Sequence, residues 1–497
     1  MAANTRRVLL SMVDIDRDAP VPLYQQLDSA LRKAVLSGTL KPGARLPATR
    51  SLAEDLGISR LTVQNVYEQL VAEGYFHSRR GSGTFVASIA AENLPPQRPG
   101  AGRAVAPRRQ RLSQRSLMIE RTRATTRLGE VKPFRPGVPA LDLFPRRAWA
   151  QCWSAAVNKF APGAFGYGDM AGSLRLRQAI ADHLGDARGV NCDAGQVIIT
   201  TGAQQAFSLI AFALLDPGVV TWIEDPGHIA ARDAMTLLSA QVCPVPIDAE
   251  GLDLDFAVAR YQTPWLIFVT PSHQHPLGVT MSLRRRMALL NYASSVGAWI
   301  VEDDYDSEFR YRGRPLAALQ GLDDNEVVLY VGSFSKTLFP GLRLGYLVAP
   351  PDLVDVFMAA QGILIQGVSS IAQEAVATFI EQGRFATHIR KMRIAYRERG
   401  EQLVEVLQAE AGGLLNPIPP QAGMHLLAEL DGIDEGTACE AIWNAGVDAL
   451  PLSIYSVTAP VSPALVLGFA CAPTSEIPKL GRTLARALID RCAKPPG

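Results

Sequence analysis

Residues 330–348 read YVGSFSKTLFPGLRLGYLV. An apolar run stops at Gly332, a tight Ser-Phe-Ser-Lys segment follows, and after a Pro-Gly turn a second apolar run begins. This is the pattern of a strand, a sharp turn and another strand. Further apolar runs lie upstream at VIIT (197–200), VVTWIED (219–225), WLIFVT (265–270), WIVED (299–303) and VVLYVG (327–332), each separated from the next by helical stretches. Strands that are apolar throughout, rather than alternating, belong to a sheet buried on both faces. Residues 131–497 therefore read as an α/β domain with a mostly parallel sheet, followed by a smaller C-terminal α+β lobe that includes a long helix over 374–399.

The same stretch carries chemistry. Lys336 follows a strand end, with Ser333 and Ser335 beside it and Arg343 shortly after. Pyridoxal 5′-phosphate (PLP) chemistry needs an amine for a Schiff base, hydroxyls and a cation for the phosphate, and an acid to keep the pyridine nitrogen protonated. Lys336 fits the first role; Ser333, Ser335 and Arg343 fit the second. The acid comes from WIVEDDYDSEFRY (299–311), where Asp303 and Asp304 are rivals and Tyr305 follows. In VIITTGAQQAFSLI (197–210), a strand, a Thr-Gly turn and a helix set the N–H groups of Gly202, Ala203 and Gln204 at a helix N-terminus suited to phosphate.

The N-terminal zone has a different grammar. Pro22 starts a helix with Leu23, Leu27, Leu31 and Val35 on one stripe, stopped at Gly38. A second short helix spans 48–56 and breaks at Gly57, and Ser59 caps a third, SRLTVQNVYEQLVAEG. YFHSRRGSGTFV then reads as strand, basic Gly-rich turn, strand. Together these predict a winged helix-turn-helix over 20–87, with the third helix entering the DNA major groove by its N-terminal end. Residues 88–130, rich in Pro, Gly, Ala, Arg and Ser, read as a flexible basic linker.

Composition excludes several classes. The 497 residues are 48% hydrophobic and 20% charged with a net charge of +1, as in soluble globular chains. No apolar run is long enough to cross a bilayer, and MAANTRRVLLSMVDID lacks a convincing cleavage site, so no signal peptide is expected. Cys152, Cys192, Cys243, Cys439, Cys471 and Cys492 are scattered, which suggests no metal site and no disulfide framework. The expected compartment is the cytoplasm.

PLYQQL, GTLKPGARLPATRSLAEDLGISRLTVQNVYEQL and EGYFHSRRGSGTFV closely resemble the GntR-type winged helix. That resemblance implies DNA contacts from Arg50, Ser59, Arg60, Thr62, Gln64, Arg79, Arg80 and Gly81. TPSHQHPLG, IVEDDYDSEFRYRGRP and GSFSKTLFPGLRLGY resemble fold-type I PLP enzymes, and the whole chain resembles the MocR/GabR/PdxR regulators. The family pattern implies that Lys336 carries the cofactor, Asp303 meets the pyridine nitrogen and Tyr305 the ring oxygen. It further implies a homodimer in which Tyr167 reaches the partner's cofactor.

Two departures stand out. His228, in EDPGH, stands where such regulators usually carry a tyrosine near the ring. In ALVLGFA, Val466 takes the place where aminotransferases carry the arginine that clamps a substrate carboxylate. The resulting expectation is a regulator that binds a double-stranded DNA operator and senses a small amine, an amino acid or PLP itself. The rival readings are an active aminotransferase with an accessory DNA-binding module, and a PLP fold kept only for dimerisation. Turnover is left open, although Val466 and the winged helix favour a sensor.

Overall fold

A computed structural model describes residues 13, 15–17, 19–79, 81–88, 112–122, 131–159, 166, 168–311, 316–458 and 461–492. The chain divides into two compact units, residues 1–111 and 112–497.

Among the described residues, the first unit holds three helices and a hairpin: α1 (Leu23–Leu36), α2 (Thr49–Leu56), α3 (Arg60–Ala72), β1 (Phe76–Arg79) and β2 (Gly83–Val86). Gly57 ends α2 with φ 64°, a left-handed turn that favours glycine, and so sets the angle into α3. Ser59 caps α3 by accepting the Leu61 N–H at 3.2 Å. Leu27, Leu31, Leu52, Val63, Leu70 and Phe76 form the shared core. Burial of each large apolar side chain contributes about 1.5–3 kcal/mol. β1 and β2 pair antiparallel from Phe76↔Val86 to Arg79↔Gly83, as the wing reading expects.

The second unit begins with α4 (Gln114–Thr122), a helix inside the stretch 88–130 read from sequence as a flexible basic linker. Then come α5 (Arg146–Lys159), α6 (Leu174–Arg188), β3 (Val197–Thr200), α7 (Ala203–Leu214), β4 (Val220–Asp225) and α8 (Ile229–Leu237). β5 (Gln241–Asp248), β6 (Gly251–Leu252), α9 (Leu254–Arg260), β7 (Leu266–Val269), α10 (Leu283–Val296) and β8 (Trp299–Asp304) follow. The large sheet is completed by β9 (Val328–Ser333), the one-turn α11 (Phe334–Thr337) and β10 (Gly345–Val348). α4 packs against α8.

Strand order is β3-β10-β9-β8-β7-β4-β5-β6. β4, β5, β7, β8 and β9 are parallel, whereas β10 runs antiparallel between β3 and β9. β3 thus points the same way as β9, and the C-terminal ends of β3, β4, β7, β8 and β9 open on one edge. In open α/β sheets that edge is where ligands bind.

The remainder is α12 (Pro351–Leu364), α13 (Ser370–Glu381), α14 (Arg384–Glu410), β11 (Leu415–Pro417), β12 (His425–Leu430), α15 (Glu435–Asn444), β13 (Leu450–Pro451), β14 (Ala464–Gly468) and α16 (Ile477–Cys492). The single helix expected over 374–399 is two helices. Gly383 adopts φ 69° between α13 and α14, and the chain changes direction there. An antiparallel sheet in the order β11-β12-β14-β13 forms the smaller lobe. Leu465 and Leu467 turn one of its faces into the main core. On the other face Val466 joins Leu452 and Tyr455.

Candidate functional site

β9 delivers Ser333 to the sheet edge, where its hydroxyl accepts the Ser335 N–H at 3.1 Å and caps α11. Lys336 rides on that single turn, and its Nζ donates to the Gly137 carbonyl at 2.7 Å. Gly137 has φ 77°, a left-handed conformation that favours glycine, and a Cβ there would stand 2.7 Å from the mobile end of the Lys336 side chain. Burial lowers the pKa of the Lys336 amine, while Asp306 and Asp303 pull the other way. A buried amine with a lowered pKa is a better nucleophile toward a carbonyl.

The two rival acids are separated by their partners. Asp304 is tied into the fold: Arg188 donates to it at 2.8 Å and the Tyr330 hydroxyl at 2.6 Å. Asp303 is buried, and neither carboxylate oxygen has a hydrogen-bond partner among the described residues. Burial, then the neighbouring Asp304 and Asp306, pushes its pKa well above the ordinary value. A buried carboxyl left unpaired costs free energy that a cationic ring nitrogen would recover. The residues present therefore fit PLP, Asp303 offering a buried carboxyl without a partner among the described residues.

Tyr305 follows on the same strand end, its hydroxyl 3.0 Å from His273 Nδ1. His273 Nδ1 also lies 3.0 Å from Asp306 Oδ1. Gln274 serves the loop itself, donating to Glu224 at 3.2 Å and to the Pro226 carbonyl at 2.9 Å. The sequence reading missed Asp306, His275 and His425. The His275 ring lies 5.3 Å from His228 and 5.4 Å from His425. Burial holds the His228 and His425 imidazoles down at about 4. The third acid of EDDYD, two residues beyond Asp304, was the available signal for Asp306; the histidines are far apart in sequence and offered none.

At the phosphate-suited end, Gly202 is the N-cap of α7 with φ 124°, so Ala203 and Gln204 open that helix. A Cβ on Gly345 would lie 2.8 Å from the Gly202 Cα, so two glycines let β10 and the α7 start come together. The Gln204 side chain donates to the Ala230 carbonyl at 3.1 Å, and only its backbone stays in the predicted role. Arg343 is exposed in the left-handed region at φ 52°, and its backbone N–H donates to the Pro340 carbonyl at 3.3 Å. Such a conformation in a non-glycine residue is uncommon and clusters at binding sites. Ser335 lies half-buried beside Lys336.

His228 is the N-cap of α8, its Nδ1 accepting the Ala231 N–H at 3.2 Å, and Lys336 is close enough to lower its pKa further. The structure thus gives it a helix-capping role. Tyr167 lies outside the described residues. Val466 is fully buried and lies opposite Leu427, in a register that puts His425 opposite Gly468 on the same face of the lobe.

In the first unit, Arg60 and Gln64 are exposed at the start of α3 and Thr62 is half-buried. Gln64 donates to Glu68 at 2.9 Å. Arg50 projects from α2 with its Nε 3.1 Å from Glu54 in a well-exposed pair. Arg79 is exposed on the wing, its guanidinium 5.7 Å from the Phe85 ring centroid, and Gly81 makes the turn with φ 77°. Arg80 lies outside the described residues. Exposed cations at a helix start and on a wing are the features that engage phosphates and base edges.

Residues 23–86 match the family of bacterial regulatory proteins of the gntR type, and residues 147–481 match aminotransferase class I and II. The probable rhizopine catabolism regulatory protein MocR of Rhizobium meliloti is 40% identical, over 92% of each chain. The pyridoxine biosynthesis transcriptional regulator PdxR of Corynebacterium glutamicum is 32% identical, over 90% of this chain and 92% of that one. Among solved structures, a Pyrococcus horikoshii kynurenine aminotransferase covers 77% of this chain and 97% of its own at 26% identity, with a TM-score of 0.69.

Proposed function

The chain belongs to the MocR-type family, in which a gntR-type DNA-binding domain is joined to an aminotransferase class I and II domain, and on that premise we propose that it is a PLP-dependent transcriptional regulator. Its second unit senses a small amine, an amino acid or PLP itself, and its first unit binds a DNA operator. The observation that carries the reading is Asp303, a buried carboxyl without a partner on the same strand-end edge as Lys336.

When bound, PLP supplies an aldehyde that captures primary amines and a ring that draws off electron density. This chain's residues do the rest. Lys336 offers the amine that holds the cofactor covalently, and Asp303 holds a proton at the ring nitrogen. Tyr305, with His273 and Asp306 behind it, positions a hydroxyl for the ring oxygen. Ser333, Ser335, Arg343 and the amides opening α7 hold the phosphate. In the same reading His228 would stand near the ring, and Tyr167 would reach the cofactor of the partner subunit.

On the DNA side Arg50, Ser59, Arg60, Thr62, Gln64, Arg79, Arg80 and Gly81 form the contact set. The domains are 20–87 for DNA, 88–130 as the connection and 131–497 for the effector. Packing of α4 against α8, which begins just after His228, supports a connection that feels the state of the pocket. The protein acts as a cytoplasmic homodimer, and two tethered DNA-binding units engage two half-sites by avidity.

Val466 favours sensing over amino-acid turnover, since a buried valine cannot pair with a substrate carboxylate. Incubation with PLP, borohydride reduction and peptide mapping should find the modification on Lys336. Addition of an amine and a keto acid should change the absorbance without sustained turnover. Modification elsewhere overturns the site, and steady turnover overturns the sensor reading.

A further inference from the structure

A second cavity of about 520 Å³ lies between α6, the segment just after Asp306 and α14. His183, Ser307, Glu308, Arg310, Arg390 and Arg393 line it. Three of these present polar atoms that are shut off from solvent and have no hydrogen-bond partner among the described residues: His183 Nε2, Ser307 Oγ and Arg310 Nε. Buried polar atoms are nearly always paired, so three orphans beside one cavity leave hydrogen-bonding capacity for a ligand, and of the three Arg310 Nε can only donate.

The lining is also rich in groups that only donate. Arg310 Nε can only donate, as can every remaining guanidinium nitrogen. Arg393 spends its Nε on the Glu308 carbonyl, and Arg390 is exposed at the rim. Arg188 also borders the space, but it is neutralised by Asp304 and further held by Ser272 at 2.7 Å and the Leu316 carbonyl at 2.7 Å. That leaves the guanidinium groups of Arg310, Arg390 and Arg393 facing two acids, Asp186 and Glu308. Burial, with Asp304 nearby, raises the pKa of the Glu308 carboxyl, which lessens its opposition to an anion.

We propose that this cavity binds a small organic oxyanion of dianionic character, bearing a phosphate group or two carboxylates. Arg310, Arg390 and Arg393 supply paired donors, and Ser307 and His183 complete the shell. Planar guanidinium forks match the oxygens of both groups in pairs, which is the shared chemistry of the two sources. The site adjoins the cofactor pocket without being part of it. Ser307 follows Asp306 directly, and Arg188 bridges the cavity wall to Asp304, the neighbour of Asp303. An anion drawn to Arg310 and Arg393 would therefore be felt at the acid that faces the cofactor.

The test uses the full-length, PLP-loaded protein, in which the phosphate cradle at Lys336 is already filled. Thermal unfolding and calorimetric titration with inorganic phosphate and with succinate are compared with sodium chloride at equal ionic strength. Saturable stabilisation by one or both is expected, and which of them binds decides between phosphate and dicarboxylate. Arg390→Gln changes a rim residue of α14 and should weaken binding by about tenfold, the loss of one charged hydrogen bond. Arg310→Gln should do the same, while Arg397→Gln, exposed elsewhere on α14, should not.

Two outcomes overturn the proposal. One is a response to both anions no larger than that to chloride. The other is a response kept in Arg390→Gln and Arg310→Gln but lost in Arg343→Gln, which assigns the anion to the cofactor cradle instead. Should the chain retain no PLP, the Arg343→Gln arm still separates the two sites.

Discussion

Arg188 and Asp304 form an ion pair buried on both sides, with Nε 2.8 Å from Oδ2, and the Tyr330 hydroxyl closes on the same oxygen at 2.6 Å. The pair spans from the end of α6 to the end of β8 and fixes the strand end on which Asp303 sits. Two adjacent acids thereby differ: Asp304 is paired within the fold, and the buried Asp303 carboxylate has no hydrogen-bond partner among the described residues.

This division sets the first prediction. Asp304→Asn leaves Arg188 as a buried cation without its counter-charge and should cost about 3–5 kcal/mol of stability. Asp303→Asn removes a carboxyl whose burial is uncompensated in the apoprotein. It should leave the apoprotein as stable as the parent or more so, by about 1–2 kcal/mol, while sharply weakening PLP retention. Denaturant unfolding of both apoproteins, with PLP titrations, checks the pair. Equal behaviour of the two variants contradicts the division.

The second concerns pH. Burial holds the His425 imidazole at about 4, below the usual histidine value of about 6.5. A depressed folded-state pKa means the unfolded chain takes up the proton first. The stability from neutral His425 is thus present above about pH 6.5 and is lost as pH falls toward 4. The full shift corresponds to about 3 kcal/mol. His425→Gln should flatten the acid limb of stability between pH 6.5 and 4, measured by denaturant midpoints. An unchanged limb sinks the assignment.

A third prediction separates free arginines from tied ones in the DNA-binding unit. Arg32 is held by Asp28 at 2.6 Å and by Glu73. Arg60 is exposed at the start of α3. Arg60→Ala should weaken binding to duplex DNA about tenfold or more and lessen its salt dependence by about one phosphate contact. Arg32→Ala should leave the salt slope alone and act on stability. Anisotropy titrations across a salt series read both. A steeper loss for Arg32→Ala would reverse the assignment.

The fourth tests what Val466 implies. With no arginine at that place, an α-carboxylate should add little to recognition. Tyramine should perturb the spectrum of the PLP-loaded protein at concentrations no higher than tyrosine does. A tyrosine preference of about tenfold or more, the size of one charged hydrogen bond, would show a carboxylate clamp elsewhere.

Much of this molecule was legible in its sequence because local signals coincided with global ones. The wing, the cap at Ser59 and the turn at Gly57 are chain-local features, and the apolar runs of β3, β4, β7, β8 and β9 mark strands without reference to partners. What sequence left open depended on contacts between distant positions. Asp303 and Asp304 are indistinguishable until Arg188, 116 positions from Asp304, shows which is occupied. The antiparallel placement of β10 was hidden because both orientations produce the same apolar run. The break at Gly383 interrupts a helical pattern that continues on both sides, and α4 arises in a stretch whose composition carries little apolar periodicity.

The central claim is that the cofactor site governs DNA binding. Anisotropy titration of the full-length protein against a duplex from the promoter region of its own gene, with and without PLP, tests it most directly when repeated with Lys336→Ala. The expected result is an affinity change of about fivefold or more on PLP addition to the parent protein, the usual size of coupling between sites, and none in Lys336→Ala. Identical DNA affinity with and without PLP in the parent, or the same change in both proteins, would contradict the account.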